Sequence, residues 1–269
     1  MQPVLGIIGT GRLGEAIAGS LVRSGWTTAE RIVCTDVAAD HLAAVGARLG
    51  VRTAADAAEV ARQADVLLVA VKPQQVRELL GGLAALIEPR HTIVSVAAGI
   101  TLATMESVLP PGSAVIRVMS NTPILVGQAM SALAPGAAAG EDRVALAEDL
   151  LAQVGRVARV PESAMDAVTA VSGSGPAYVF LLAEALLEAA EAVGLERQEA
   201  AELVAQTVLG AATLLREDGR SAAELREMVT SPNGTTQAAL EVLEVAGFRR
   251  ALHDAVAAAA RRSAELSAG

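Results

Sequence analysis

The stretch Val4 to Ile17, V-L-G-I-I-G-T-G-R-L-G-E-A-I, constrains this chain more than any other. An apolar run of strand character, Val4 to Ile8, leads straight into Gly9-Thr10-Gly11-Arg12-Leu13-Gly14. A helical pattern follows, with Ala16, Ile17 and Leu21 on one face. The order predicts a strand, a tight turn and a helix start. The three glycines have separate physical roles. Gly9 permits the turn, Gly11 lets backbone approach a pyrophosphate, and Gly14 lets helix pack closely on strand. The N–H groups of the helix N-terminus then suit an anion. A glycine-rich turn without a ligand is the structural alternative, so context has to decide.

The context is a series of alternating strands and helices. Arg31 to Thr35 reads as a second strand ending in Asp36, which lies 22 positions beyond Gly14. A dinucleotide-binding fold carries there the carboxylate that bonds the adenosine ribose; a helix cap or turn is the plainer role for Asp36, and the two can coexist. A helix at Ala39 to Leu49, a short strand at Val51 to Thr53 and a helix at Ala55 to Gln63 come next. Asp65 to Val71 is apolar almost throughout, as expected of a strand with helices over both sheet faces, and it runs into Lys72-Pro73. A helix over Gln74 to Ile87 and a strand over Thr92 to Val96 follow, ending in Ala97-Ala98-Gly99. This alternation predicts a parallel, doubly wound α/β sheet of Rossmann type with right-handed crossovers. Ligands bind such sheets outside the carboxyl ends of the strands. Gly9 to Gly14, Asp36, Lys72-Pro73 and Ala97 to Gly99 should therefore line one crevice, where Ala97, Ala98 and Gly99 leave room for a flat ring.

Further strands are expected at Ala114 to Met119, Ser131 to Leu133 and Arg156 to Val160, with a helix at Glu141 to Val154. After Pro161 only helical periodicity remains, broken at Gly194, Gly219 and Ser231 to Gly234. Two domains are predicted: residues 1–160 for dinucleotide binding, and an all-α segment, 161–269. A net charge of −9 argues against a nucleic-acid partner. The single cysteine, Cys34, excludes an internal disulfide and a cysteine-based zinc site, and no metal is expected. The N-terminal apolar run lacks a preceding basic region, so no signal peptide is expected, and the chain is read as cytoplasmic. Ala177 to Val193 is interrupted by Glu184, Glu188 and Glu191 on one helix face, which predicts an amphipathic helix and no membrane span.

The polar inventory limits the chemistry. Lys72 is the only lysine, and His41, His91 and His253 are the only histidines. None of the three is expected in the crevice. Oxidation of an alcohol generally needs a positioned base, whereas a carbon–nitrogen double bond can enter protonated and accept hydride without one. Donors that orient the iminium and hold a carboxylate then suffice. Ser231-Pro232-Asn233-Gly234-Thr235-Thr236 supplies hydroxyls and helix-start N–H groups of that kind; an ordinary capped corner between helices is the alternative. In Ser172-Gly173-Ser174-Gly175-Pro176, the glycines point either to close helix contact or to close approach of a cofactor.

Taken in order, G-I-I-G-T-G-R-L-G-E-A-I, A-V-K-P-Q, S-V-A-A-G-I, R-V-M-S-N-T-P, A-V-S-G-S-G-P-A-Y, S-P-N-G-T-T and G-F-R-R-A resemble the pyrroline-5-carboxylate reductases over essentially the whole chain. The resemblance implies reduction of 1-pyrroline-5-carboxylate to L-proline by NADPH or NADH. It also implies a helical domain that interlocks with a partner in a homodimer, often assembled into a decamer. Carried over by position, Gly9, Thr10, Gly11, Arg12, Leu13, Asp36, Ala70, Val71, Lys72, Pro73, Ala97, Ala98, Gly99 and Asn121 would bind cofactor. Thr236 would bond the substrate ring nitrogen as the catalytic group, and Ser231, Gly234 and Thr235 would hold its carboxylate. Each site would then join the nucleotide domain of one subunit to helices of the next. Where the family commonly has Pro, Gly and Gly, this chain has Ser120, Ala129 and Asn233. A carboxylate at Asp36 favours a free ribose hydroxyl, so NADH is expected to serve at least as well as NADPH. The related β-hydroxyacid dehydrogenases use a lysine in their helical domain, which this chain lacks; a dinucleotide sensor without turnover is the non-enzymatic alternative.

Overall fold

The computed structural model describes residues 3–268. β1 (Leu5–Ile8) leads to α1 (Arg12–Arg23), β2 (Ile32–Thr35) to α2 (Ala39–Leu49), and β3 (Arg52–Thr53) to α3 (Ala57–Gln63). β4 (Val66–Val69) leads to α4 (Pro73–Leu83) and β5 (Thr92–Ser95) to α5 (Leu102–Glu106). β6 (Ala114–Met119), β7 (Ala129–Pro135), α6 (Glu141–Ala152) and β8 (Gly155–Arg159) complete one sheet of order β3-β2-β1-β4-β5-β6-β7-β8.

β1 to β6 are parallel, as the alternation predicts, and β1 sits between β2 and β4. β7 departs from that expectation by running antiparallel to β6, with β8 parallel to β7. The cause lies in the connections. Residues between β6 and β7 hold only a 3₁₀ turn, Thr122–Val126, and a parallel return needs a crossover helix. α6 supplies such a crossover between β7 and β8.

The central strands are buried on both faces, which is why they read as unbroken apolar runs. Leu5, Ile7, Val66, Leu68, Val94 and Ile116 pack on one side with Ile17 and Leu21 of α1 and Leu150 and Leu151 of α6. Ile8, Leu67, Val69, Ile93 and Val115 pack on the other with Val60 of α3, Val76 and Leu80 of α4 and Met105 of α5. Cys34 is fully buried in β2, and that burial pushes its thiol pKa up to about 12. It is therefore a core side chain and a poor nucleophile.

The chain packs as two compact units. One unit runs through Ser174 and takes back the chain from Ala259; the other is 175–258. α7 (Met165–Val168) and the π turn Thr169–Gly173 stay with the sheet because Met165 is in its core. A Cβ at Gly173 would lie 2.3 Å from Cε of the flexible Met119 side chain, so this glycine packs against the end of β6. Glu162 accepts from Arg117 at 3.0 Å and from the Leu102 N–H at 2.6 Å, tying the segment to β6 and α5. From the far end of the chain, Ser263 donates to Asp166 at 2.7 Å.

The second unit consists of α8 (Gly175–Ala192), α9 (Arg197–Glu217), α10 (Ala222–Met228), α11 (Thr235–Val245) and most of α12 (Phe248–Ala268). Gly194 and Gly219 end helices with positive φ, as the breaks predict. α8 and α11 bury no residue, and Phe180 and Leu181 stand 66% and 65% exposed. This unit thus displays an apolar surface far beyond what scattered exposed side chains explain. Among the described residues one helical stretch, 162–192, is long and apolar enough to cross a membrane by composition.

His91 is buried before β5, accepting the Glu88 N–H on Nδ1 at 2.8 Å with Nε2 3.0 Å from the Ala61 carbonyl. That pattern requires the neutral, Nε2-protonated ring. Burial, the largest influence, and the nearby Arg90 hold its pKa below the ordinary histidine value despite the Ala61 bond. The unfolded chain then binds the proton first, so stability is complete above about pH 6.5 and declines as pH falls toward the folded value. Thermal unfolding of wild type should show that acid slope, and His91→Asn should flatten it; identical slopes would contradict the assignment.

Candidate active site

The carboxyl ends of the central strands finish side by side. The Gly9 N–H donates to Thr35 O at 2.9 Å, Ala70 N–H to Ile8 O at 2.9 Å, and Val96 N–H to Val69 O at 3.0 Å. Gly9, Asp36, Ala70 and Ala97 are thereby brought to one edge. At Gly9, φ is +99° and a Cβ would sit 2.7 Å from Ala70 O. At Gly14 a Cβ would sit 2.1 Å from Gly9 O, so helix and turn meet at a distance only glycine allows. Gly11, by contrast, has nothing within 4 Å of an added Cβ, and no side chain caps α1. The turn thus presents open space in front of unclaimed helix-start N–H groups beside Arg12 and Leu13. That is the cradle a pyrophosphate fits.

Thr10 is buried and turned toward β2. Its N–H donates to Asp36 Oδ2 at 2.6 Å and its hydroxyl to the same oxygen at 3.1 Å, while the Ala38 N–H donates to Oδ1 at 2.9 Å. Burial works to raise the Asp36 pKa, but these three donors and nearby His41 outweigh it and hold the carboxyl below its ordinary value. Asp36 is therefore an anion, and it serves both as turn residue and as a carboxylate at the strand end. Its oxygens retain acceptor capacity for a ribose hydroxyl.

His41 departs from the expectation that all three histidines lie outside the crevice. Its Nε2 lies 2.7 Å from the Thr10 carbonyl and 3.9 Å from Glu15 Oε2. α2 starts just beyond Asp36, so a residue in its first turn faces back to the glycine turn; that spacing is the signal the sequence offered. His253 is exposed on α12, as expected.

After β4, partly buried Ala70 and Val71 precede exposed Lys72, whose extended backbone caps α4 with Pro73 at the first helical position. Ala97 is buried, Ala98 exposed, and Gly99 has φ +76°. A Cβ at Gly99 would meet Leu266 at 3.8 Å, so the end of α12 lies against this loop. The Asn121 side chain is anchored from both ends. The amide nitrogen donates to Ser172 O at 3.1 Å and the amide oxygen accepts the Met130 N–H at 3.0 Å. Ser120 is likewise paired, with Ser131 at 2.9 Å.

The S-P-N-G-T-T stretch belongs to the other unit. Gly234 is the N-cap of α11 and its N–H donates to Ser231 O at 3.0 Å. A Cβ at Gly234 would collide with Ser231 Oγ at 2.3 Å. Asn233 takes φ +55°, the left-handed conformation that Asn tolerates, and its N–H donates to Gln237 Oε1 at 2.8 Å. No side chain caps α11, so the N–H groups at its start lack a side-chain acceptor.

Two family models match: "Pyrroline-5-carboxylate reductase dimerisation" over residues 162–266, and "NADP oxidoreductase coenzyme F420-dependent" over residues 4–99. A pyrroline-5-carboxylate reductase of Methanosarcina acetivorans is 42% identical over 262 residues, covering 97% of each chain. The chain belongs to the pyrroline-5-carboxylate reductase family. The solved pyrroline-5-carboxylate reductase of Coxiella burnetii is similar at 37% identity and a TM-score of 0.95, covering 99% of both chains. The Plasmodium falciparum pyrroline carboxylate reductase, solved with NADP bound, is 25% identical with a TM-score of 0.87 and 99% coverage of both. The apolar helical unit lies inside the dimerisation model, and the glycine turn and Asp36 inside the NADP oxidoreductase model. Exposed α8 is thus part of an oligomerising segment, as reductases of this family have.

Because the Gly14–Gly9 approach admits only hydrogen, Gly14→Ala should destabilise the protein by about 2 kcal/mol, read by chemical denaturation. Unchanged stability would show that the turn is looser than its geometry.

Proposed function

We propose that this chain is an oxidoreductase reducing the C=N bond of 1-pyrroline-5-carboxylate to L-proline with NADPH or NADH, the final step of proline biosynthesis. The observation that carries this is the pairing, in one chain similar end to end to these reductases, of an open pyrophosphate cradle at Gly11 with an uncapped helix start at Thr235. The reduced nicotinamide supplies the hydride.

The chain's own residues bind and orient. N–H groups at Gly11, Arg12 and Leu13 take the pyrophosphate, Thr10 fixes Asp36, and Asp36 accepts from the ribose. Residues Ala70 to Pro73 and Ala97 to Gly99 form the remaining wall of the cofactor site, with Asn121 holding the β6–β7 turn beside it. The Thr236 hydroxyl accepts the iminium N–H and sets the ring's orientation. Ser231, Gly234 and Thr235 hold the substrate carboxylate, chiefly through backbone N–H groups and the positive end of α11. An iminium that arrives protonated needs no base, which agrees with a chain holding one lysine.

Residues 161–269 act as the dimerisation and substrate segment in this reading. The unburied apolar faces of α8 and α11 and the match to a dimerisation model support oligomerisation; the homodimer, its assembly into a decamer and a site shared between subunits belong to the same proposal. The enzyme is cytoplasmic in this proposal.

If Thr236 orients the iminium, Thr236→Val should lower kcat/KM for the imine by about 1–3 kcal/mol of transition-state stabilisation, with cofactor Kd unchanged. A rate near wild type would remove Thr236 from the mechanism. Asp36→Ser should shift preference toward NADPH; an unaltered ratio of kcat/KM values would remove Asp36 from cofactor choice.

A further inference from the structure

The loop after β5, Ala97 to Thr101, lies on the opposite side of the glycine turn from Asp36. In the sheet order, β2 carries Asp36 at its end, β1 carries the glycine turn, and β4 and β5 follow beyond it. With neighbouring strands about 4.8 Å apart, the end of β5 stands roughly 14 Å from the end of β2. A dinucleotide with its adenosine ribose at Asp36 and its pyrophosphate at Gly11 therefore brings its nicotinamide half to the Ala97–Gly99 loop. That placement rests on the dinucleotide reading of the site.

The loop is tied at both ends and open between them. At its entrance the Val96 N–H donates to Val69 O at 3.0 Å and the Ala97 N–H to Ser95 Oγ at 3.4 Å. In its middle Ala98 is exposed and Gly99 has φ +76°. At its exit the N–H of Leu102, the first residue of α5, donates to Glu162 Oε1 at 2.6 Å. Among the described residues, Glu162 is the one side chain from a distant part of the chain whose hydrogen bond reaches this loop or its exit.

Glu162 is itself held in place. It opens the 3₁₀ turn Glu162–Ala164, with Pro161 before it at φ −66° and Met165 after it in the sheet core. Arg117 of β6, only 5% exposed, donates from Nη1 to the same Oε1 at 3.0 Å. A buried guanidinium keeps its charge and needs an anion. It draws the carboxylate inward, where Oε1 takes one donor from β6 and one from the start of α5. A core ion pair alone would account for the first bond; the second reaches the cofactor wall.

The geometry points to Glu162 as a positioning residue of the cofactor site: through the Leu102 N–H it holds the Ala97–Gly99 loop in the shape that receives the nicotinamide half. Glu162 need touch neither cofactor nor substrate. Its effect is confined to the half of the dinucleotide beside the loop, whereas a role in stability alone would not distinguish the two halves.

ADP-ribose, which has the adenosine, the pyrophosphate and the second ribose but no nicotinamide, separates the halves. Dissociation constants of NADH and of ADP-ribose are measured by calorimetry, with no imine present, for wild type, Glu162→Gln and the double variant Arg117→Met with Glu162→Ala. Gln keeps Oε1 as an acceptor for both donors. Glu162→Ala alone would strand the Arg117 cation, so the double variant removes acceptor and buried charge together, and thermal unfolding checks that each protein is folded. The double variant should lose roughly tenfold in NADH affinity, the worth of one charge-assisted hydrogen bond, with its Kd for ADP-ribose unchanged. Glu162→Gln should stay near wild type for both ligands. Unchanged NADH affinity in the double variant, or an equal loss for both ligands, would overturn the proposal, as would a loss in Glu162→Gln as large as that of the double variant. Wild type that binds neither ligand would overturn the dinucleotide reading, and the proposal with it.

Discussion

Nothing larger than hydrogen fits between Gly14 and the carbonyl of Gly9, and the geometry of the whole ligand edge depends on that contact. It lets α1 start against the end of β1, which keeps the helix's free N–H groups at the strand edge. Gly9 is held in turn by its N–H on Thr35 of β2 and by its closeness to the Ala70 carbonyl beyond β4. One turn therefore registers three strand ends. Those ends carry the carboxylate, the cradle and the small-residue wall that a dinucleotide needs.

The two halves obey different physics. In the sheet unit, strands apolar on both faces are covered by helices, and Arg117–Glu162 and His91 are buried polar groups with partners. The helical unit leaves α8 and α11 without a buried residue. Exposing such surface to water is unfavourable, at roughly 25 cal/mol per Å². Residues 162–266 match a dimerisation model, and a segment that oligomerises has a use for such a surface. A composition with 1% aromatics suits this, since small side chains let helices approach closely.

Much of this was legible in the sequence because it rests on local rules. Period, glycine spacing and strand-end position gave β1 to β6, the Gly9–Gly14 turn and Asp36. What was not legible depends on long-range packing. The reversal of β7 follows from a connection too short for a helix, and the units divide at Ser174 because Met165 is drawn into the sheet core. Asn121 is spent on Ser172 and Met130, partners 51 and 9 residues away. His41 is exposed, and its contact with Thr10 depends on how α2 docks.

The most direct measurement is the oxidation of NADPH and of NADH by purified protein given L-1-pyrroline-5-carboxylate, with proline quantified as product. The account predicts turnover with both cofactors, proline formed in equal amount to the cofactor oxidised, and NADH used at least as well as NADPH near neutral pH. Cofactor binding without oxidation of either, on addition of the imine, would contradict it.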